Sequence, residues 1–472
     1  MNKKIPMLTL MGAFVVGIAS ACGPTDNRIN ITFWHTLGKA NEAMLNDMID
    51  EFEELYPEYR VSASGQGGYD ELRDKILNTI SVGTNPDMAF CYPDHVARYL
   101  ESNSVIDMTP YVNDPEVGFA VSDGSHEENS ETVYGVDDFI QGYWEEGTEY
   151  AVEGLYSVPY AKSTEVLFYN KDVFEANGWP VPTKWFNDED PDDLTAMFNL
   201  CREIYQEMYD DPGFVAPLGY DSDSNLFITL HHQMGIPYTQ QADTPEDRYP
   251  FLTSQASKDL VTRLKTIYDD SAVIGDQYEK HMFVTKETNG GSYTSTLFTE
   301  ERCYMSIGST GGTSYNVGSF NIGIAKIPQH NDSDPEHRGV ISQGPSICFF
   351  NTMDDETRDG AWLLYRHITN ATNSARYAIQ TGYEPVRISS YETEQYVEHI
   401  AEPTEITGDN LFKMVARLTR TMQEDYFTSP VFPGTDRARE LVGGILSNVL
   451  LGTETVDDAY SRVYSDLMFQ DQ

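Results

Sequence analysis

The sequence predicts an α/β protein built as two lobes, with the chain crossing between them more than once. Three observations carry this reading. Residues 29–102 alternate strand and helix patterns three times, the order expected of a parallel sheet covered by helices. Strand patterns then return at 303–307, 320–325 and 346–350, with helical stretches between and after them, so the chain crosses between lobes more than once. Finally, 472 residues with 40% apolar and 12% aromatic side chains are enough for two large domains with real cores.

The elements follow in order. Residues 29–34 alternate and are rich in β-formers, a first strand. Ala43, Leu45, Met48, Ile49, Phe52 and Leu55 recur at helical spacing until Pro57 stops the helix. A second strand at 59–62, a helix at 69–82 closed by Gly83, a third strand at 88–92 and a short helix at 95–102 complete the alternation. Ligands of such sheets bind beyond the C-terminal strand ends. Residues 107–154 are loop-rich and acidic. An exposed polar loop at 161–164 runs into a buried strand at 166–169, which stops at Asn170 and opens a helix over 171–177. Asp190-Pro191 predicts a helix start, with Asp190 as cap and the helix running to about 209. Further helices are expected at 223–234, 256–270, 355–379, 391–401, 408–425 and 434–468, the last broken near Gly452. The order assigns 29–155 plus about 305–350 to one lobe and 156–304 plus about 351–472 to the other.

A formal net charge of −44 excludes non-specific nucleic-acid binding, which needs cations to replace phosphate counterions. It also disfavours adsorption on anionic lipid headgroups and is read as a solvated acidic surface. Residues 1–21 read as a signal peptide: Lys3 and Lys4, an apolar run from Ile5 to Ile18, then Ala19-Ser20-Ala21. Cys22 follows, with a polar tether through residue 28. The placement resembles a bacterial lipobox, which implies lipidation of Cys22 and a membrane anchor made by that lipid alone, on the outer face of the cell membrane. Ala19-x-Ala21 equally suits ordinary signal peptidase, which leaves a soluble secreted protein.

No two of Cys91, Cys201, Cys303 and Cys348 stand in a C-x-x-C pair, and apolar neighbours mark them as buried thiols. A Cys303–Cys348 disulfide stays open if their strands are neighbours. Catalysis finds little support: no G-x-S-x-G or H-E-x-x-H occurs, and among 75 carboxylates close pairs are inevitable. His231 and His232 are adjacent, so a helix turns them about 100° apart. Residues 187–193 lack the glycine and terminal glutamate of a calcium loop. No metal, cofactor or enzymatic activity is expected.

Several candidates for binding stand at element ends. Trp34 and His35 end the first strand, where an indole stacks on a sugar ring or packs an edge. Gly65-Gln-Gly-Gly-Tyr69 is not a P-loop; it turns the chain and carries Tyr69 toward the cleft. Asp94 accepts ligand hydroxyls or caps the next helix. The Gly/Ser/Thr-rich loop 306–315, holding Ser309 and Thr310, offers N–H groups and hydroxyls or serves as a hinge. Loops 342–346 and 380–387 are further turns at element ends.

Taken together, Ile31-Thr-Phe-Trp-His-Thr36, Phe52-Glu-Glu-Leu-Tyr-Pro57, Gly83-Thr-Asn-Pro-Asp87, residues 158–174, Tyr304-Met-Ser-Ile-Gly-Ser309, residues 320–328 and Thr381-Gly-Tyr-Glu-Pro-Val-Arg387 resemble, in order and spacing, the extracellular solute-binding proteins of ABC importers, family 1. The likeness is nearest to the glycerol-3-phosphate- and sugar-binding branch. It implies a type II periplasmic-binding-protein-like fold, two α/β lobes joined by a hinge with the ligand cleft between them, and contacts from Tyr69, a position near Asp94, Ser163, Ser309, Thr310, Gly344 and Tyr383, the last in the segment that ends at Arg387. Two features depart from the branch. Ser429-Pro-Val-Phe432-Pro-Gly stands where a phosphate-holding arginine is expected, and Ser224 and Phe227 stand near the places of two cleft tryptophans. Asp223 and Ser224 would then bond hydroxyls where the relative stacks a ring. The resemblance implies a monomeric receptor that captures a sugar or oligosaccharide outside the cell and hands it to a transporter permease. The alternatives are a receptor for glycerol-3-phosphate or a glycerophosphodiester and, from another class, a secreted enzyme acting on polysaccharide.

Overall fold

The computed structural model describes residues 26–119, 135–270, 281–331, 333–401 and 410–470. The expected signal peptide, Cys22 and most of the tether lie outside the described residues. Among the described residues no helix is long and apolar enough to cross a membrane.

Twelve strands are described: β1 (Ile29–His35), β2 (Tyr59–Gly65), β3 (Met88–Cys91), β4 (Val158–Pro159), β5 (Glu165–Asn170), β6 (Leu218–Tyr220), β7 (Phe283–Thr285), β8 (Met305–Ser309), β9 (Ile322–Lys326), β10 (Val340–Ile341), β11 (Ser346–Phe349) and β12 (Tyr426–Phe427). They form two five-stranded sheets, ordered β2-β1-β3-β11-β4 and β7-β6-β8-β5-β9, and a small β10-β12 ladder. In the first sheet β2, β1 and β3 run parallel, and β11 returns antiparallel with Ser346 opposite Cys91. In the second β7, β6 and β8 are parallel, while β5 lies antiparallel between β8 and β9. Both central strand sets are buried on both faces, which is why β3 and β11 read as unbroken apolar runs.

Each sheet has its own core. Phe33, Phe52, Phe90, Trp362 and Tyr365 belong to the first; Phe168, Trp185, Tyr220, Phe283 and Met305 to the second. Helices Asp223–Gln233 and Thr435–Leu450 pack against one another and, with Val456–Gln470, form an apolar cluster on the second lobe.

The expected division of the chain needs correction. β8 and β9 lie in the second sheet and not the first, and β11 alone of the late strands joins the first. Helices Asp355–Ile368 and Ala371–Thr381, expected in the second lobe, put Trp362, Tyr365 and Tyr377 into the first core. β4, likewise assigned to the second lobe, pairs with β11 in the first. Alternation and apolarity mark a strand; they do not say which sheet takes it.

Asp190-Pro191 does not start a helix. Asp193 accepts from Thr195 N (3.0 Å) and Oγ1 (2.5 Å), Asn187 Nδ2 (2.8 Å) and Lys184 Nζ (2.7 Å), so local side-chain bonds hold a turn and the helix begins at Met197. The helix expected over 355–379 breaks at Asn370, whose side chain accepts from Asn373 N and caps a second helix. Cys303 precedes a strand of the second sheet and Cys348 lies in the first, so the two cannot pair. The four described cysteines are free and buried.

The chain passes between lobes at 160–164, at 342–345, and again between Val386 in the first core and Leu411 in the second. The first two segments lie side by side: Ser163 N donates to Gln343 O (2.9 Å) and Gln343 N to Ser163 O (2.8 Å). On the other side Glu384 N donates to Lys162 O (2.6 Å) and Lys162 N to Glu384 O (3.2 Å). The 161–164 stretch is therefore no exposed loop; all four residues are buried in the hinge.

Candidate functional site

A cleft of about 1630 Å³ opens between the lobes, beyond the C-terminal ends of β1 and β3 on one side and of β6 and β8 on the other. On the first lobe Tyr69 heads the helix Tyr69–Ile80 and Tyr92 precedes Pro93–Glu101. Both follow strands of the first sheet, so the turns out of β2 and β3 bring their rings together, stacked with centroids 4.1 Å apart. Asp94 is the second residue of that helix; it does not cap it, but accepts the His95 N–H at 2.9 Å.

The second lobe presents mostly polar groups. Ser309 ends β8, accepts Gly311 N (3.2 Å) and donates to Ser163 Oγ (3.3 Å). Gly311 has a steric role: a Cβ there would come within 2.5 Å of the Tyr383 ring, which lies against this turn. Ser222 caps the helix Asp223–Gln233, placing Asp223 and Ser224 in its first turn at the cleft. Asp223 accepts from Thr285 Oγ1 (2.5 Å) and Glu287 N (3.1 Å), and burial raises its pKa. Asp221 takes Thr294 N (2.6 Å), Thr294 Oγ1 (2.7 Å) and Ser295 N (3.2 Å), with its pKa likewise raised by burial.

Glu165, the first residue of β5, is 1% exposed. Tyr220 OH (2.5 Å) and Asn225 Nδ2 (2.7 Å) donate to its two oxygens, yet burial outweighs them and holds its pKa up at about 7. Arg439, in the second turn of Thr435–Leu450, donates to Asn225 Oδ1 and reaches the cleft. Nine lining side chains are Asp or Glu and four are Lys or Arg, so the cleft carries a surplus of negative charge.

The lobes meet at one end of this cleft through ions. Arg73 of the first lobe, 7% exposed, sits 2.9 Å from Glu440 and 3.6 Å from Asp436 of the second. Arg98 of the first lobe reaches the same Asp436 Oδ2 at 2.9 Å.

The cleft brings together Tyr69, Asp94, Ser163, Asp223, Ser224, Ser309 and Tyr383. Gly344 lies instead in a small chamber beside the hinge, with φ +101° and Ala161 O 2.3 Å from where a Cβ would stand. The remaining four expectations are corrected. Trp34 is half-buried with Lys75 Nζ 4.5 Å from its ring centroid, and does not line the cleft. His35 is fully buried against Phe33 and Phe90, and desolvation lowers its pKa. Thr310 is fully buried, its hydroxyl accepting Thr164 N. Arg387 packs over Phe139 at 4.2 Å and donates to Thr369 O (2.5 Å) and Asp138 Oδ2 (3.4 Å).

Phe227 is core, stacked on His231 at 3.8 Å. No arginine stands at 429–434, but Arg439 lines the same chamber as Ser429. Glu165, Asp221, Tyr92, Tyr293, Tyr315 and Arg439 were not anticipated. Only its place at the start of β5, a charge opening an otherwise apolar run, could have flagged Glu165.

Two α/β lobes, a three-stranded crossover and a polar, aromatic-rimmed cleft between them define a solute receptor of the two-lobed binding-protein class. The chain belongs to the bacterial extracellular solute-binding proteins, whose sequence profile matches residues 47–404. It is 22% identical over 404 residues to the sn-glycerol-3-phosphate-binding periplasmic protein of Brucella melitensis, covering 83% of this chain and 82% of that one. Among solved structures, the GacH receptor of Streptomyces glaucescens, solved unliganded and with acarbose, superposes with a TM-score of 0.69 at 17% identity, covering 94% of this chain and 99% of GacH. UgpB of Mycobacterium tuberculosis, solved with glycerophosphocholine, gives 0.69 at 18% identity over 93% and 98%. A substrate-binding protein of Listeria monocytogenes, solved with cycloalternan, gives 0.70 at 15% identity over 94% and 99%.

Proposed function

We propose that this receptor serves an ABC importer and captures a hydroxyl-rich, uncharged carbohydrate of oligosaccharide size. The observation that carries this is the cleft lining: tyrosine rings from both lobes among a surplus of carboxylates. Carboxylates accept hydroxyl donors strongly, and ring faces suit the apolar faces of sugars. An excess of negative charge opposes a phosphate. The volume exceeds the roughly 300–1,000 Å³ of pockets for small ligands, which suits a short oligosaccharide. The relatives solved with acarbose and with cycloalternan support the same class.

A second reading, a glycerophosphodiester, has one structural observation in its favour. Arg439 supplies a guanidinium in the cleft region although the sequence lacks the arginine expected near 429. The glycerol-3-phosphate-binding relatives agree with it. Calorimetry with maltotriose, a cyclic glucan, N,N′-diacetylchitobiose, cellobiose, glycerol-3-phosphate and glycerophosphocholine separates the two. Saturable binding of a saccharide without turnover is expected; binding of the phosphates alone overturns the carbohydrate reading, and release of cleaved sugar overturns the receptor reading. We also infer that the protein is a monomer held outside the membrane by a lipid on Cys22. Intact-mass measurement of the mature N-terminus, and release of a Cys22→Ser variant into the medium, test the anchor.

A further inference from the structure

Beside the hinge the cleft opens into a side chamber of about 100 Å³. Tyr92, Asp94, Gln343 and Arg439 line both spaces and form the passage between them. Beyond the passage most of the wall surface is apolar, from residues such as Pro93, Ile228, Tyr238, Ile341 and Val431, with Glu149, Thr428, Ser429 and Thr435 set among them. At its far side Lys162 and Glu146, both more than nine-tenths buried, are bonded to each other, and Ser342 Oγ donates to Glu146 Oε1 at 3.2 Å. Tyr92, Pro93 and Asp94 come from the first lobe and Ile228 and Tyr238 from the second, so the chamber exists only where the lobes have met.

The passage and the walls differ in chemistry. Asp94 Oδ1 takes the His95 N–H, which leaves Oδ2 able to accept another donor. Among the described residues Arg439 donates to Asn225 Oδ1 and makes no ion pair, so most of its N–H groups stand ready for an acceptor. An engineered apolar cavity of about 150 Å³ holds benzene, with six heavy atoms, so about 100 Å³ suits a group of about four. A compact group with one N–H, one carbonyl and one methyl matches an acceptor and a donor at the mouth and apolar walls behind.

We propose that this chamber is the subsite for an acetamido group, and that the captured solute is an N-acetylated amino sugar or an oligosaccharide containing one. Asp94 accepts the amide N–H, Arg439 donates to the carbonyl, and the methyl lies against Ile228, Ile341 and Tyr238. A sugar with a hydroxyl at that carbon leaves the apolar walls empty and Arg439 unmatched. This assignment rests on the carbohydrate reading of the main cleft.

Calorimetry on the mature chain with N,N′-diacetylchitobiose and with cellobiose, the same backbone carrying hydroxyls, tests it. The acetylated sugar should bind tighter by about tenfold or more, the discrimination one buried methyl with its polar neighbours gives. Val431→Phe fills the chamber and should erase that preference; Asp94→Ala should reduce it, and does so without adding bulk should the first variant fail to fold. Equal affinities for the two sugars, or a preference that survives both substitutions in folded protein, overturn the acetamido assignment alone. Binding of maltotriose or the cyclic glucan but of neither of these two sugars likewise overturns the assignment alone; binding of no saccharide in the panel overturns the carbohydrate reading and the assignment with it. Glycerophosphocholine binding that Val431→Phe abolishes gives the chamber to a trimethylammonium group and overturns the acetamido assignment.

Discussion

Asp436 offers the sharpest test of how the lobes are held together. Its side chain is fully buried; Oδ2 takes Arg98 at 2.9 Å and lies 3.6 Å from Arg73, both from the opposite lobe, while Oδ1 has no hydrogen-bond partner among the described residues. Asp436→Asn removes the charge and keeps the shape. Breaking a fully buried pair costs about 3–5 kcal/mol, and an exposed one about 0–1. Here Arg98 is 38% exposed, which puts its share at the low end. Arg73 keeps Asp70 at 3.2 Å, Asp74 at 3.0 Å and Glu440 at 2.9 Å, so it is not left uncompensated. The net loss works out at about 1–2 kcal/mol, a factor of about 5–30 in the ratio of closed to open protein. Small-angle scattering of the solute-free protein at low salt should show a larger radius of gyration for the variant, and calorimetry a weaker apparent affinity, because only the closed form binds fully. High salt should move the wild type part of the way in the same direction. Superimposable scattering curves and equal affinities at low salt would refute the reasoning.

Other predictions are simpler. Gly344→Ala places a Cβ against Ala161 O at a positive φ; strain of about 1–3 kcal/mol or more should lower the melting temperature, and an unchanged value would remove the steric argument. Tyr383→Ala should weaken the binding of whichever saccharide the receptor takes by about tenfold while leaving the circular dichroism spectrum intact, since its ring lies against Gly311 at the cleft. Glu384, donated to by Tyr426 OH (2.5 Å), Gln423 Nε2 (2.9 Å) and Tyr143 OH (3.4 Å), has its pKa pushed up by burial to about 7. The folded protein therefore holds a proton that the unfolded chain releases near 4.5, so this group costs stability as pH rises from about 4.5 through 7. Glu384→Gln mimics the protonated form; relative to wild type it should gain stability between pH 5 and pH 8, by up to about 3 kcal/mol, and equal shifts at both pH values would contradict the titration.

The fold was legible where local pattern and burial agree. The strand–helix alternation of 29–102 and the cap at Asn170 emerged as read, because side-chain period and capping chemistry are properties of neighbours in sequence. Sheet membership was not legible. β11 slots between β3 and β4, a choice made by contacts hundreds of residues apart that no local pattern records. The same limit governs the site. Tyr69, Asp94, Asp223 and Ser309 stand at element ends, where position in the chain points to the cleft. Arg439 reaches it from the second turn of a late helix and Glu165 from the first residue of a buried strand, and no local pattern points either one to the cleft. Arg387 shared a segment with Tyr383 yet turned inward, onto Phe119 and Phe139.

The interleaving of the lobes sets the order in which they can be completed as the chain leaves the cell membrane. All five strands of the second sheet lie within 165–326, so that half has its full complement of strands early. The first sheet begins sooner but finishes later. The edge of β3 stays unpaired until β11 arrives about 250 residues further along, and an unpaired strand edge invites pairing with other chains. A nascent molecule therefore passes through a stage with the second sheet complete and the first open-edged, while the second core still waits for Leu411, Val415 and Leu446. Slowed or truncated export should yield aggregates seeded by the N-terminal strands, even though the finished receptor buries β3 completely.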